Sequence, residues 1–179
     1  KIADDTIVVF FHDNGPNGVR WNGDMKGRKG STDEGGVRSP LLVRWPGRIP
    51  KGTELKPIAA VIDLLPTLAD CAGIPVVSKK KLDGRSLKPL LLGQKGRWKE
   101  RIIFSHWKGR VSARTQTHRL DHTGKLFDMT ADLGQRKDIS KTNLALATRL
   151  REEVARWKET VVVELGKDTR ASVIGHPDF

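Results

Sequence analysis

Thr6-Ile7-Val8-Val9-Phe10-Phe11-His12-Asp13-Asn14-Gly15 begins as an unbroken apolar run and ends abruptly on polar, turn-forming residues. A β-branched and aromatic run with no polar alternation reads as a strand covered on both faces, the pattern of a parallel sheet. After it, Pro16 to Gly36 is rich in Gly, Asn, Asp, Lys and Arg. That is too long and too polar for a simple connection, and it reads as a functional loop. Leu41-Leu42-Val43-Arg44-Trp45 then forms a second apolar strand, closed by the turn signal Pro46-Gly47. Because the chain opens at Lys1 and enters an interior-type strand almost at once, its start is expected to lie inside a larger domain.

Further along, Asp63 is placed as a helix N-cap, Pro66 falls in the tolerated first turn, and Gly73 with Pro75 marks the stop, giving a helix over Leu64 to Ala72. Arg101 to Ser105, Val111 to Arg114 and Lys125 to Met129 read as strands of a small antiparallel sheet. Leu146, Leu150, Val154, Trp157 and Val161 recur at helical spacing from about Asn143, predicting an amphipathic helix packed on that sheet. The expected class is therefore α/β. Residues 1–95 belong to an α/β domain, and residues 96–179 form a subdomain of small antiparallel sheet plus C-terminal helix. There is no internal repeat, and the tail after Gly166 has no periodicity.

Composition bounds the partners. Of 179 residues, 37% are hydrophobic and 30% charged, which is globular. The formal charge of +12 favours polyanions but does not choose among them. The one dense basic run, Lys79-Lys80-Lys81, reads as a solvated loop. The single cysteine, Cys71, excludes an internal disulfide and any multi-cysteine zinc site, and its helical setting makes it a small buried hydrophobe. No apolar stretch approaches a membrane span, no signal-peptide pattern is visible, and no recognition helix or zinc pattern indicates nucleic acid.

Two motifs carry chemistry. Asp13 and Asn14 end the first strand, where ligands collect in an open α/β sheet. A carboxylate beside an amide oxygen suits Ca²⁺ or Mg²⁺, provided Gly15-Pro16 turns the backbone so that both side chains reach one ion. The same residues also read as a plain turn after a strand. The second motif, Gly27-Arg28-Lys29-Gly30-Ser31-Thr32-Asp33-Glu34-Gly35-Gly36-Val37-Arg38, combines glycines that admit an oxyanion with the compact cation of Lys29. It is not a Walker A loop, and taken alone it also reads as a flexible segment. Trp21, inside the polar loop, is the candidate for stacking on a sugar or aryl group, with a loop anchor as its other reading. Trp45, Trp98, Trp107 and Trp157 read as packing. His106, His118, His122 and His176 show no ligand spacing.

Together these motifs make the chain resemble the sulfatases of the alkaline-phosphatase superfamily, in the arylsulfatase branch. The resemblance runs in order through Thr6–Gly15, Arg28–Arg38, Pro40–Gly47, Asp63–Asp70, Asp83–Leu87, Leu126–Asp132 and Asp138–Ser140. It implies the C-terminal part of an alkaline-phosphatase-like α/β sheet, followed by the small antiparallel subdomain. It further implies Asp13 and Asn14 as two Ca²⁺ ligands, Lys29 as a contact to the substrate's sulfate group, and Glu34 and Arg38 as residues that hold the loop in shape. The implied substrate is an aryl or sugar sulfate ester. Family members are often periplasmic, secreted or lysosomal.

In such enzymes the nucleophile is a formylglycine hydrate made within a Cys/Ser-x-Pro/Ala-x-Arg motif. Cys71 is followed by Ala72-Gly73-Ile74, and no serine has the required neighbours, so this sequence lacks it. Truncation accounts for that absence and for the missing aspartates of the metal site. His12 departs from the small hydroxyl residue usual in the family, reading as an altered surround of the metal or as a polar strand end. The chain alone is expected to be inactive, and, with an apolar strand face uncovered, to self-associate. The other readings are a binding module for sulfated polysaccharide or another polyanion, and a phosphoester-processing relative in the same superfamily.

Overall fold

A computed structural model describes residues 2–165 of the chain; His176 and the tail after Gly166 lie outside the described residues. The apolar run forms β1 (Val8–Phe11), which pairs antiparallel with β2 (Leu41–Arg44), Phe11 opposite Leu41 and Val8 opposite Arg44. Two expectations are corrected here, the parallel environment and the cover on both faces. A parallel neighbour needs a crossover between strands. The loop between β1 and β2 instead doubles back with a single helical turn, α1 (Glu34–Val37). The apolar run specified an extended, apolar segment and not the direction of its partner.

The two faces of this ribbon differ sharply. Ile7, Val9 and Val43 close an apolar seam against Leu64, Leu68 and Cys71 of the next helix, α2 (Leu64–Ala72). On the other face Val8, Phe10 and Leu42 are 49%, 53% and 61% exposed. Cys71 in the seam is half-buried, and burial pushes its thiol up.

Helix α2 has the expected bounds, with Pro66 in its first turn. It stops at Gly73 (φ 68°), where the Ile74 N–H donates to the Ala69 carbonyl at 2.9 Å. Asp63 stands at the N-cap position, but its side chain does not cap the helix. One carboxylate oxygen accepts from the Ala60 N–H at 2.9 Å. The other accepts from the Arg85 N–H at 2.9 Å and from Arg101 at 2.7 Å. Asp63 is 0% exposed, so the pair with Arg101 lies in the interior and ties α2 to the chain entering the second sheet. The Asp83-Gly84-Arg85 loop fits beneath because Gly84 has no side chain; a Cβ there would overlap the Ile62 carbonyl.

A short helix α3 (Lys88–Leu91) leads to a four-stranded antiparallel meander in sequence order, β3 (Ile103–Trp107), β4 (Arg110–Arg114), β5 (His118–Leu120) and β6 (Leu126–Asp128). Three of the four strands were legible. β5 was not, since His-Arg-Leu shows no apolar alternation. Helix α4 (Leu144–Trp157) lies on the sheet as its apolar stripe predicts, with Ala147 and Leu150 packed into Ala113, Leu120 and Leu126. Trp157 stacks on Phe104 with ring centroids 5.3 Å apart. Lys79, Lys80 and Lys81 lie exposed in a loop. Among the described residues no helix is long and apolar enough to cross a membrane.

Removing one member of a buried ion pair strands the other. Asp63→Ala is therefore expected to cost about 3–5 kcal/mol, read as a lowered urea midpoint, with Leu150→Ala costing about 2–5 kcal/mol through the cavity it leaves.

Candidate functional site

Backbone, not side chain, builds the corner that joins the two motifs. The Gly15 N–H donates to the Gly36 carbonyl at 2.9 Å, and the Lys29 N–H donates to the Pro16 carbonyl at 2.9 Å. The turn Asp13-Asn14-Gly15-Pro16 is thereby laced to the Lys29 loop at two points. Gly15 is buried, and a Cβ on it would overlap the Gly35 carbonyl oxygen. Gly35 in turn sits against the Met25 and Lys26 carbonyls, each 2.9 Å from where its Cβ would be. The glycines of the motif serve close backbone packing of two loops.

Asp13 and Lys29 are exposed and Asn14 is half-buried. None of the three side chains enters the hydrogen bonds that hold the corner, which leaves a carboxylate, an amide and an ammonium uncommitted there. The preceding residue, His12, is fixed through its backbone. Its carbonyl accepts from the Ser39 hydroxyl at 2.9 Å, and its ring meets Phe10 edge-on at 5.3 Å. The Ser31 and Thr32 hydroxyl oxygens are buried without a hydrogen-bond partner among the described residues. Trp21 is 81% exposed, and the Arg20 guanidinium lies 5.1 Å from its ring centroid.

Beneath the loop, Glu34 is 4% exposed. It accepts from Arg119 through Nε at 3.1 Å and a terminal nitrogen at 2.7 Å, and from Arg114 Nε at 3.2 Å. Arg38 approaches the other carboxylate oxygen at 3.5 Å. These contacts agree with Glu34 and Arg38 holding the loop in shape. Further hydrogen bonds complete the attachment: Ser112 and Arg119 donate to the Thr32 carbonyl at 2.7 and 2.8 Å, and Gln135 donates to Asp33 at 3.0 Å. Lys26 bridges Asp33 and Asp121, each at 3.4 Å. The sequence did not single out Arg114, Arg119 or Gln135, since nothing in their neighbourhood marks them as partners of a loop about 80 to 100 residues earlier.

Burial by itself would push the Glu34 carboxyl up, but the Arg119 and Arg114 guanidinia outweigh it and hold the group below its ordinary value. Burial pushes Arg114 down, with Glu34 opposing, and the guanidinium stays charged.

Asp13 and Asn14 offer two hard oxygen donors on a turned backbone, which fits part of a Ca²⁺ or Mg²⁺ shell. A full shell needs about six to eight oxygens. Among the described residues no group of three or more His, Cys, Asp or Glu is placed to hold an ion. Two donors fall short of such a shell.

Residues 29–129 match the family model described as N-sulphoglucosamine sulphohydrolase, C-terminal, and the chain belongs to the sulfatase family, to its C-terminal portion. Among curated relatives, arylsulfatase A of Homo sapiens is 45% identical over 97 residues, covering 51% of this chain and 19% of that protein. A sulfatase of Formosa agariphila is 30% identical over 184 positions, covering 87% of this chain and 33% of the relative. The solved structure of Ps i-CgsB in complex with k-i-k-neocarrahexaose aligns with a TM-score of 0.73 and 31% identity, over 87% of this chain and 37% of that one. The chain thus spans between a fifth and a third of the length of these curated relatives.

Because the Glu34 carboxyl titrates lower in the folded chain than in the unfolded one, its stabilisation is complete above the ordinary carboxylate range and is lost as pH falls through the depressed value. Acid unfolding of the wild type should show this loss and Glu34→Gln should not. Glu34→Ala should cost about 3–5 kcal/mol at neutral pH in urea titrations, since it strands buried guanidinia.

Proposed function

We propose that this chain is one wall of the active site of a sulfuric ester hydrolase, with Lys29 contacting the sulfate group and Asp13 and Asn14 supplying two oxygens to a Ca²⁺ ion, or Mg²⁺ in its place. The observation that carries the reading is the double backbone lacing of the Asp13-Asn14 turn to the Lys29 loop, which presents oxygen donors and a cation in one corner.

When bound, the ion would withdraw charge from the sulfate oxygens. Lys29 adds a compact positive charge beside the oxygens on which negative charge grows, which favours the transition state. The buried Glu34–Arg119 pair resists drift of the loop backbone that carries Lys29. Formylglycine chemistry would come from residues outside this sequence, in which the nucleophile motif is absent. The division of the chain near residue 95 belongs to the same reading.

The chain alone should not hydrolyse 4-nitrophenyl sulfate, while a full-length, formylglycine-matured protein that carries it should. In that protein Lys29→Ala should lower kcat/KM by about 10²- to 10³-fold, the usual effect of deleting one group that stabilises developing charge. Asp13→Ala should abolish a Ca²⁺-dependent rise in Tm. An inactive matured protein across aryl and sugar sulfates would refute the reading.

The bare face of β1 and β2 bears on the isolated chain. We expect it to self-associate through Val8, Phe10 and Leu42. Sedimentation should show a concentration-dependent oligomer that Phe10→Lys reduces.

A further inference from the structure

Trp107 was read as a packing residue, yet the structure leaves it 49% exposed at the end of β3, in a position that packing does not explain. Side chains on a strand alternate, and directly paired residues share a face. Phe104 stacks on Trp157 of α4, so the even-numbered residues of β3 face the helix. Ser105 and Trp107 face the other way, with their partners Ser112 and Arg110. The Ser112 hydroxyl donates to the Thr32 carbonyl at 2.7 Å, so this is the face that covers the Lys29 loop. Consistently, the Trp107 indole nitrogen lies 3.8 Å from where a Gly30 Cβ would stand. The indole edge thus rests against the residue next to Lys29, while about half of the residue stays exposed.

The tip of this hairpin is shaped to stay in place. Lys108 and Gly109 both have positive φ, 47° and 77°, as a two-residue reverse turn between twisted strands requires. The Gly109 N–H donates to His106 Nε2 at 3.1 Å. The Lys108 ammonium lies 5.9 Å from the Trp107 ring centroid. Arg28, Lys29, Lys108 and Arg110 are all exposed, and none is held in an ion pair with a described acidic residue. A half-exposed aromatic ring with the Lys108 ammonium near it, Arg110 as its strand partner and Lys29 next to the residue it touches suits an apolar ring face that carries anionic substituents.

We propose that Trp107, with Lys108 and Arg110, is a platform beside Lys29 on which the ring of a sulfated saccharide lies while its sulfate group meets the lysine. This inference rests on the Lys29 reading above. Trp107 takes the stacking role that the sequence offered to Trp21, because it is Trp107 whose indole nitrogen stands against Gly30, the neighbour of Lys29.

The test is isothermal titration of the 179-residue chain with inorganic sulfate and with a sulfated heparin disaccharide, in the wild type, Lys29→Ala, Trp107→Ala and Trp107→Phe. Lys29→Ala should weaken both ligands. Trp107→Ala should weaken the disaccharide by about fivefold to tenfold, the worth of one aromatic contact, and leave sulfate unchanged. Trp107→Phe should retain most of the disaccharide affinity. Unchanged disaccharide binding in both Trp107 variants, with loss in Lys29→Ala, overturns the platform and leaves the lysine reading standing. Equal weakening of sulfate and disaccharide by Trp107→Ala, with a lowered urea midpoint, also overturns it, by making Trp107 a support of the loop. A wild type that binds neither ligand overturns the platform, and the lysine reading then stands or falls on the activity of the matured protein.

Discussion

A single carboxylate organises the chain. Glu34 sits beneath the loop that carries Lys29, and its partners Arg114 and Arg119 come from two neighbouring strands of the second sheet. Withdrawing these charges from water is costly, and the cost is offset only because the fork of Arg119 meets one carboxylate oxygen through two nitrogens while Arg114 meets the same oxygen. Pairs of this kind do not make a fold unusually stable. What they impose is placement: the loop must sit over β4 and β5, because any other position leaves a charge stranded. The site corner and the Trp107 hairpin inherit their positions from that constraint.

Around this anchor the structure uses glycine to bring backbones together and charge to hold them. Gly15, Gly35 and Gly36 let the Asp13-Asn14 turn and the Lys29 loop meet main chain to main chain, so the polar side chains are not used to hold the two together. The buried pair of Asp63 with Arg101 repeats the device, joining the start of α2 to the chain just before β3. In both places an acidic residue from the first part of the chain meets an arginine from the second. The apolar core of Ala113, Leu120, Leu126, Ala147 and Leu150 serves only the second sheet and α4. The two parts are thus coupled through ion pairs and backbone hydrogen bonds more than through shared core.

The family assignment and the geometry meet at Lys29, where the matched region begins. The loop that opens the matched region is polar, and beneath it the buried carboxylate of Glu34 is already paired with Arg114 and Arg119, while Arg28 and Lys29 stay exposed.

Much of this was legible in sequence because it depends on local physics. The apolar run Val8–Phe11, the helix Leu64–Ala72 bounded by Pro66 and Gly73, and the stripe Leu146, Leu150, Val154 and Trp157 follow from periodicity and from the backbone preferences of proline and glycine. The candidate residues Asp13, Asn14 and Lys29 followed from residue types and their order. Tertiary structure alone decided that β1 runs antiparallel to β2, that Asp63 spends its carboxylate on Arg101, and that Glu34 belongs to Arg119. It also set the Trp107 indole nitrogen against Gly30 of the lysine loop. The reason is range: a helix stop or a strand needs only neighbours within a turn, whereas a charge pair across 85 positions has no local trace until the chain has folded around it.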